Sequence, residues 1–187
     1  MPAFETNSLV TERLLLRVLT PGDAEALFAV FSNPEVVRYW SSTPWTEMEQ
    51  AHKYIATAEQ DLLSGSALRF GIEVAATGQL AGQIVLHHFD WGNRRCEVGY
   101  ALARPHWRKG YLTEALGAML EHGFSALQLN RVEADIDPRN AASAKPLERL
   151  GFRQEGLLRE RWIVGGEICD TAFYGLLKSD WDGPGLR

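Results

Sequence analysis

The sequence predicts an α+β fold with one mixed sheet, and three observations support this prediction. Strand patterns joined by short turns follow one another between Leu68 and Leu102, which indicates consecutive antiparallel strands. A strand, a helix and a strand then run from Cys96 to Ile136, an order that implies a parallel crossover. With 187 residues, 45% of them hydrophobic, the chain has enough apolar surface for one core. We therefore expect a single domain over residues 1–187, with its core from about residue 9 to 180.

The N-terminal elements follow from alternation and from capping signals. Apolar residues at every second position indicate the first strand: Leu14, Leu16 and Val18. The run Thr20-Pro21-Gly22-Asp23 combines a capping residue, a proline at the first helical position and an acidic residue three positions after the cap. A helix should begin there and stop near Asn33-Pro34. A second capping box, Thr46-x-x-Glu49, begins another helix that ends at Gly65.

Three antiparallel strands occupy the middle of the chain. The first has alternating apolar residues: Leu68, Phe70, Ile72 and Val74. A turn at Thr77-Gly78 leads into a strand from Leu80 to His88, and a turn at Trp91-Gly92-Asn93 leads into the third strand. His87 and His88 are neighbours, so we expect their side chains on opposite faces, unable to share a metal ion. No metal is expected.

The C-terminal half adds two helices, a strand and a hairpin. A helix begins near Tyr111, a strand covers Arg131–Ile136, and a short helix runs from about Ala141 to Leu150. The chain then forms a hairpin from about Glu155 to Leu177 that turns at Gly165-Gly166. The predicted order is β-α-α-β-β-β-α-β-α-β-β, a mixed central sheet flanked by helices.

Composition limits the compartment and the partners. The net charge of −5 disfavours binding to nucleic acid through a basic surface. Cys96 and Cys169 lie in apolar strand-like runs, so we expect two reduced core thiols. No apolar run is long enough for a membrane span, and the segment from Met1 to Asn7 lacks the basic and apolar parts of a signal peptide. The expected location is the cytoplasm, with no membrane partner, and a homodimer is the default assembly.

A basic loop between a strand and a helix predicts a phosphate site. The strand Cys96–Leu102 is followed by a loop with three cations and one glycine: Arg104, Arg108, Lys109 and Gly110. The free N–H groups of a first helical turn and the positive end of the helix dipole attract an anion, and glycine lets the backbone approach it closely. The alternative is a plain strand-loop-helix connection with a solvated basic turn.

Gly99 and Asn140 add two further signals. A glycine inside a well-patterned strand indicates a β-bulge or a splayed strand end, whose free backbone groups can pair with an extended ligand. Alternatively, Gly99 only makes room for a bulky neighbour. Asn140 lies between a strand and a helix, so it is either an N-cap or a ligand contact. It begins a spaced set of residues: Asn140, Ser143, Leu147, Leu150, Gly151 and Phe152.

Together, these segments resemble the acetyl-CoA-binding core of the GCN5-related N-acetyltransferases, the GNAT superfamily. The set that begins at Asn140 is similar to the signature after that family's fifth strand, where the asparagine commonly contacts pantetheine. The segment Thr11–Arg17 is similar to the RimJ/RimL-like branch of ribosomal-protein acetyltransferases. The resemblance implies a GNAT-like fold and a transferase with acetyl-CoA as cosubstrate. It would acetylate a primary amine, such as a protein N-terminal amine, through a tetrahedral intermediate.

The resemblance also implies which residues bind the coenzyme. They come from the strand end, the basic loop with the first helical turn, and the asparagine turn: Tyr100, Ala101, Leu102, Arg108, Lys109, Gly110, Tyr111, Leu112, Thr113, Asn140 and Ser143. The chain departs from the family at two places. Leu112 replaces a small residue at the helix start and would change how closely the backbone meets the diphosphate. Leu147 stands where many relatives have a tyrosine that protonates the leaving thiolate.

Acetyl transfer to an amine needs a base and a proton source for the thiolate. Glu97 is the first candidate for the base, because it precedes the predicted splay and aligns with a base of some relatives. Alternatively, it is a solvent-facing glutamate paired with an arginine, and Glu133 is the second candidate. The resemblance implies that Ser143 donates the proton to the thiolate or only a hydrogen bond to the sulfur. Four aromatic side chains could wall the acceptor site, pack in the core or form a dimer contact: Tyr39, Trp40, Trp45 and Trp162.

The sequence leaves the acceptor open. Besides a protein N-terminus, a polyamine, an amino acid or an antibiotic would fit a primary-amine acetyltransferase. The missing tyrosine at Leu147 supports a different class, a non-catalytic acyl-CoA sensor or interaction module on the same fold. A nucleic-acid-binding domain is disfavoured by the acidic charge balance.

Overall fold

The computed structural model describes residue 4 and residues 8–183, and it arranges eight strands in one sheet. The segment that argues against a signal peptide therefore lies, apart from Phe4, outside the described residues. The strands are β1 Leu9–Val10, β2 Leu14–Val18, β3 Leu68–Val74, β4 Gln79–Asp90, β5 Arg95–Leu102, β6 Arg131–Ile136, β7 Arg153–Val164 and β8 Glu167–Leu177. From edge to edge they lie in the order β1-β2-β3-β4-β5-β6-β8-β7.

Five helices cover the two faces of this sheet: α1 Ala24–Phe31, α2 Pro34–Val37, α3 Met48–Ser64, α4 Tyr111–Ser125 and α5 Ala141–Arg149. The strand β5, the helix α4 and the strand β6 form the predicted crossover, and β5 and β6 are parallel whereas the other neighbouring strands are antiparallel. The predicted α+β class and the mixed sheet are confirmed. Two elements were not predicted, the short strand β1 and the four-residue helix α2.

Two apolar cores lie on the two faces of the sheet. One is formed by strand residues with α4 and α5, and includes Leu86, Cys96, Leu116, Phe124 and Leu147. The other lies under α1–α3 and includes Leu27, Phe31, Ile55 and Ala101. Alternation along β5 explains the division, because Cys96 and Val98 face α4 and α5 while Ala101 faces α1–α3.

The capping signals identify both helix starts, with one error of register. Thr20 and Asp23 form the predicted box before α1. The box before α3 is formed by Glu47 and Gln50 rather than by Thr46 and Glu49. The side-chain oxygen of Gln50 accepts hydrogen bonds from the backbone N–H groups of Thr46 and Glu47 at 2.8 and 3.0 Å. A glutamate and a glutamine therefore form the same reciprocal arrangement one position later.

The two cysteines are free thiols in different surroundings. Cys96 is fully buried, as predicted, and burial raises the pKa of its thiol. Cys169 is half-buried on β8, with its sulfur 3.5 Å from a guanidinium nitrogen of Arg139. The prediction of a second core thiol is wrong, because Cys169 lies on the face of β8 that borders a cavity. Within the described residues, no helix is long and apolar enough to cross a membrane.

The strands β5 and β6 separate partway along their length. They pair at Arg95–Arg131, Cys96–Val132 and Glu97–Glu133, and no pair follows. β5 nevertheless continues to Leu102, held on its other side by β4 in unbroken register from Glu97 onward. Of the alternatives at Gly99, the splayed strand end is confirmed and a bulge in β5 is not observed. The glycine also makes room for neighbours, because a Cβ there would lie 3.3 Å from Val85 Cγ1. The backbone of β5 beyond Glu97 therefore borders a gap.

We expect Gly82→Ala to destabilise the fold, because this glycine lies where β4 meets the end of β5. A Cβ at Gly82 would lie well inside 3.0 Å of the Ala101 carbonyl oxygen, so the strands would have to move apart. The free energy of unfolding, measured in urea, should fall by about 2 kcal/mol or more. The control is Gly156→Ala in β7, where a Cβ meets nothing within 4 Å. Equal stability of the two variants would contradict this close approach.

Candidate active site

The predicted phosphate loop leads directly into α4. Gly110 is the N-cap of α4, with a φ of 79°, a left-handed conformation that glycine adopts without strain. No side chain caps the helix, so the N–H groups of its first turn are available to an anion. The side chains of that turn are at least half-buried, and Leu112 packs against the core. Contacts from this turn to a phosphate would therefore come from the backbone.

An ion pair between the sheet edge and α4 holds this loop in place. Glu114 accepts hydrogen bonds from Thr11 Oγ1 at 2.6 Å, from the Arg13 backbone N–H at 2.8 Å and from Arg13 Nε at 2.7 Å. Arg13 Nη1 also donates to the carbonyl oxygen of Lys109 at 2.9 Å. Burial opposes the ionisation of Glu114, but the hydrogen bonds from Thr11 and Arg13 outweigh it and lower its pKa.

The loop cations have different environments. Arg108 and Lys109 are exposed and form no ion pair within the part of the chain that the structure describes. Arg104 instead pairs with Glu35 at 2.6 Å, which commits its charge to α2. Trp107 Nε1 donates to the Leu102 carbonyl oxygen at 2.7 Å and ties the loop to the end of β5. Positive charge for a ligand thus remains next to Gly110.

A cavity of about 480 Å³ is lined by residues from both faces of the sheet at the gap between β5 and β6. The face under α1–α3 contributes His87, Glu97, Gly99 and Asp135. The α4 and α5 side contributes Tyr100, Asn140 and Ser143. Two molecules can therefore approach each other in this gap from opposite sides of the sheet.

Tyr100 links β5 to α5 across the gap. Its hydroxyl donates to the carbonyl oxygen of Ser143 at 2.9 Å, and burial raises its pKa, so the phenol stays protonated. Asn140 Oδ1 accepts a hydrogen bond from the backbone N–H of Ser143 at 3.2 Å, which confirms its role as the N-cap of α5. Leu147 is fully buried in the core. Because its side chain has no acidic group, α5 supplies no proton donor at that position.

His87 and His88 lie on the same side of the sheet, so the prediction of opposite faces is wrong. His88 has a φ of 52°, and the register of β4 with β5 shifts between His87 and Asp90, so a bulge turns His88 back toward its neighbour. The two ring centroids are 4.3 Å apart, and His88 Nδ1 lies 3.2 Å from Glu97 Oε1. All three residues offer a ligand atom within 4.8 Å of the others. The geometric reason for excluding a metal fails, and the absence of a metal stays a prediction.

The two candidate bases differ although they pair in register. Glu97 lines the cavity and contacts His88. Glu133 is buried, and its oxygens accept hydrogen bonds from Arg95 Nη1 at 2.8 Å and Arg131 Nε at 2.7 Å. Both carboxylate oxygens of Glu133 are engaged by guanidiniums and Glu133 does not line the cavity, so the structure favours Glu97 as a base. Burial and the charge of His88 lower the pKa of His87 to about 4, so this imidazole is neutral near pH 7.

Three of the four predicted aromatic residues border the cavity: Tyr39, Trp40 and Trp162. Trp45 instead stacks on Phe31 at 4.5 Å between ring centroids and belongs to the α1–α3 core. The cavity also contains polar residues that the sequence analysis did not single out, among them Gln83 and Asp135. Gln83 is fully buried, accepts a hydrogen bond from the Tyr54 hydroxyl at 3.0 Å, and has no partner for its Nε2 in the described structure.

Comparison with known proteins identifies the family. The protein-family model of the acetyltransferase (GNAT) domain matches residues 13–153 of this sequence. The match runs from Arg13, beside the phosphate loop, to the first residue of β7. This chain belongs to the GNAT acetyltransferases. It is therefore an acetyl-CoA-dependent acyltransferase, and the resemblance stated from the Gly110 loop and the Asn140 set is confirmed.

Relatives of this GNAT protein place it near the RimJ/RimL-like branch. It is 40% identical to the N-acetyltransferase p20 of Bacillus licheniformis. The alignment spans 177 residues and covers 95% of this chain and 99% of p20. The [ribosomal protein uS5]-alanine N-acetyltransferase of Escherichia coli is 25% identical over 182 residues, with 92% of each chain covered. The structure of Mycobacterium smegmatis RimJ in complex with CoA-disulfide has the same fold, with a TM-score of 0.89 and 24% sequence identity. The superposition covers 98% of this chain and 94% of the RimJ chain.

We expect Glu114→Gln to lower the free energy of unfolding by about 1.5 kcal/mol at pH 7, because it weakens the charge-assisted bonds to Thr11 and Arg13. Since folding lowers the pKa of Glu114, its contribution is fully present above the unfolded-state value of 4.5 and is lost as pH falls through the folded-state pKa. Urea unfolding from pH 7 downward should therefore show the two proteins converging only as the pH falls below about 4.5.

The control for this series is Glu12→Gln, an exposed neighbour of the same segment. Its stability should stay within about 0.5 kcal/mol of the unsubstituted protein at every pH. A pH-independent difference for the Glu114 variant would contradict the ionic account of the contact.

Proposed function

We propose that this GNAT protein transfers the acetyl group of acetyl-CoA to the N-terminal amine of a protein or peptide, within a single domain whose core covers residues 9–180. The observation that carries the proposal is the cavity at the gap between β5 and β6, with Glu97 on one side and Ser143 on the other. The similarity to a ribosomal-protein alanine acetyltransferase supports an N-terminal amine as the acceptor.

The coenzyme would enter from the α4 and α5 side. Its diphosphate would accept hydrogen bonds from the backbone N–H groups after Gly110, with Arg108 and Lys109 next to it. Its pantetheine arm would lie in the gap, along the unpaired edge of Tyr100–Leu102 and beside Asn140. An extended chain with two amides suits this place, because the edge of β5 has lost its partner strand there.

The amine would enter from the α1–α3 side and attack the thioester carbonyl directly. A carbon–nitrogen bond forms, the carbon–sulfur bond breaks through a tetrahedral intermediate, and Glu97 takes the proton that the amine loses. The side chain of His88 is 67% exposed and contacts Glu97, so it offers the proton a path to solvent. A free backbone N–H of β5 would stabilise the oxyanion, and the Ser143 hydroxyl would supply a proton or a hydrogen bond to the thiolate.

A binding and turnover experiment tests this function. Acetyl-CoA binding is measured by calorimetry, and release of free CoA is then measured with peptides, polyamines, amino acids and aminoglycosides as acceptors. Turnover with N-terminal peptides is the expected result. Turnover with only small amines would overturn the acceptor class, and binding without turnover of any of these amines would contradict the proposal.

We expect Gly110→Ala to weaken acetyl-CoA binding about tenfold or more, because a Cβ strains the left-handed turn and displaces the backbone donors. The matched control is Gly78→Ala, which has a φ of 67° and open space around its Cβ. Both variants should lose about 1 kcal/mol of stability. Calorimetry should show weaker binding for the Gly110 variant alone, and equal affinities would mean that the loop does not hold the diphosphate.

We expect Glu97→Gln to lower kcat by about tenfold to a thousandfold, because the amide cannot accept the amine proton. Acetyl-CoA affinity should be retained, since Glu97 lies on the acceptor side of the gap. Steady-state rates measured from pH 6 to 10 provide the check. If the variant keeps the pH–rate profile of the unsubstituted enzyme, Glu97 is not the base.

A further inference from the structure

The cavity has more negative charge than one general base supplies. Its lining has five carboxylates and two guanidiniums: Glu97, Asp135, Asp137, Glu167, Asp170, Arg38 and Arg69. Some of these charges are already compensated, because Arg139 pairs with Asp137 and Glu167 at 2.6 Å, and Asp61 pairs with Arg69 at 2.9 Å. Within the described residues, three lining carboxylates have no arginine or lysine partner: Glu97, Asp135 and Asp170.

The strand register places Asp135 opposite Gly99 across the gap. Glu97 and Glu133 form the last pair of β5 and β6, so Gly99 and Asp135 lie two residues further along each strand. Residues two apart share a face, so Asp135 and Glu97 both lie on the acceptor side. A rise of about 3.3 Å per residue and a strand spacing of about 4.8 Å separate their Cα atoms by about 8 Å, and the divergence of the strands increases this distance.

Neutral donors fix the carboxylate of Asp135 without neutralising it. The fully buried Thr171 donates from Oγ1 to Oδ1 at 2.8 Å, and Trp162 Nε1 lies 3.3 Å from both carboxylate oxygens. A half-buried carboxylate with only neutral partners gains most from a cation that a ligand brings. The indole adds a surface that attracts cations, and the guanidinium of Arg161 already lies 5.6 Å from its centroid.

We propose that Asp135, together with Thr171 and Trp162, forms a subsite for a positively charged group of the acceptor, distinct from the amine that is acetylated. The acceptor class is a primary amine with a second cationic group about 8 Å or more away, such as a peptide with lysine or arginine as its second residue. The inference rests on the proposed function for the position of the reacting amine at Glu97. It adds a specificity determinant that the chemistry itself does not need.

Two matched dipeptide amides test this subsite in binding. Ala-Lys-amide and Ala-norleucine-amide have nearly the same length and differ in the side-chain ammonium. Their affinities for the CoA-saturated protein are measured by calorimetry. The unsubstituted protein should bind the lysyl peptide about tenfold more tightly, and Asp135→Asn should abolish that preference while leaving the norleucyl peptide unchanged. Asparagine retains one oxygen at the Oδ1 position, which accepts from both Thr171 and Trp162, so the fold is preserved.

The control variant is Glu167→Gln, which removes the same charge from the same cavity at a carboxylate already paired with Arg139. It should keep the preference for lysine, which separates a local subsite from the overall charge of the cavity. The proposal is overturned by weak binding of the lysyl peptide to the unsubstituted protein, by a preference that survives in the Asp135 variant, or by an equal loss for both peptides. Because binding is measured without turnover, its result is independent of whether CoA release confirms the proposed function.

Discussion

The divergence of β5 from β6 after Glu97 is the constraint on which the site depends. Main-chain pairing holds the strands together up to Glu97–Glu133, and β4 alone then supports β5 as far as Leu102. A buried sheet seldom leaves backbone groups unpaired, so this edge requires another partner. Trp107 donates a hydrogen bond to the Leu102 carbonyl oxygen, and the Tyr100 hydroxyl donates one to the Ser143 carbonyl oxygen in α5. The space that remains between these contacts is the cavity in which acyl group and amine are proposed to meet.

Ion pairing elsewhere in the sheet determines which acidic groups are free to react or to bind. Arg95 and Arg131 are committed to Glu133, and Arg139 to Asp137 and Glu167. These guanidiniums are therefore already neutralised by structural carboxylates, whereas Arg38, which also lines the cavity, contacts the ring of Tyr39. Glu97 and Asp135, on the same face, are left with neutral donors or a histidine. The same network that stabilises β6 and β8 thus leaves the acceptor side of the gap negative.

Periodicity and capping predicted most of the fold, since long elements repeat their signals. β6 was predicted with its observed limits at Arg131 and Ile136, and α4 with its start at Tyr111. β1 and α2 are too short to show a period. His88 was misplaced because strict alternation assumes a regular strand, and one left-handed residue cancels it. Asp135 was missed because the sequence does not show that β5 and β6 separate, and it is this separation that places Asp135 at the cavity. The charged residues at alternate positions of β6 were the one available signal.

A crystal structure of the protein with CoA tests the central claim most directly, since it shows what fills the gap. The account predicts the diphosphate on the N–H groups that follow Gly110 and the pantetheine arm between the edge of β5 at Tyr100 and Asn140, with the sulfur facing Glu97 through the gap. A coenzyme bound on another surface, with the edge of β5 beyond Glu97 still unpaired, would contradict it.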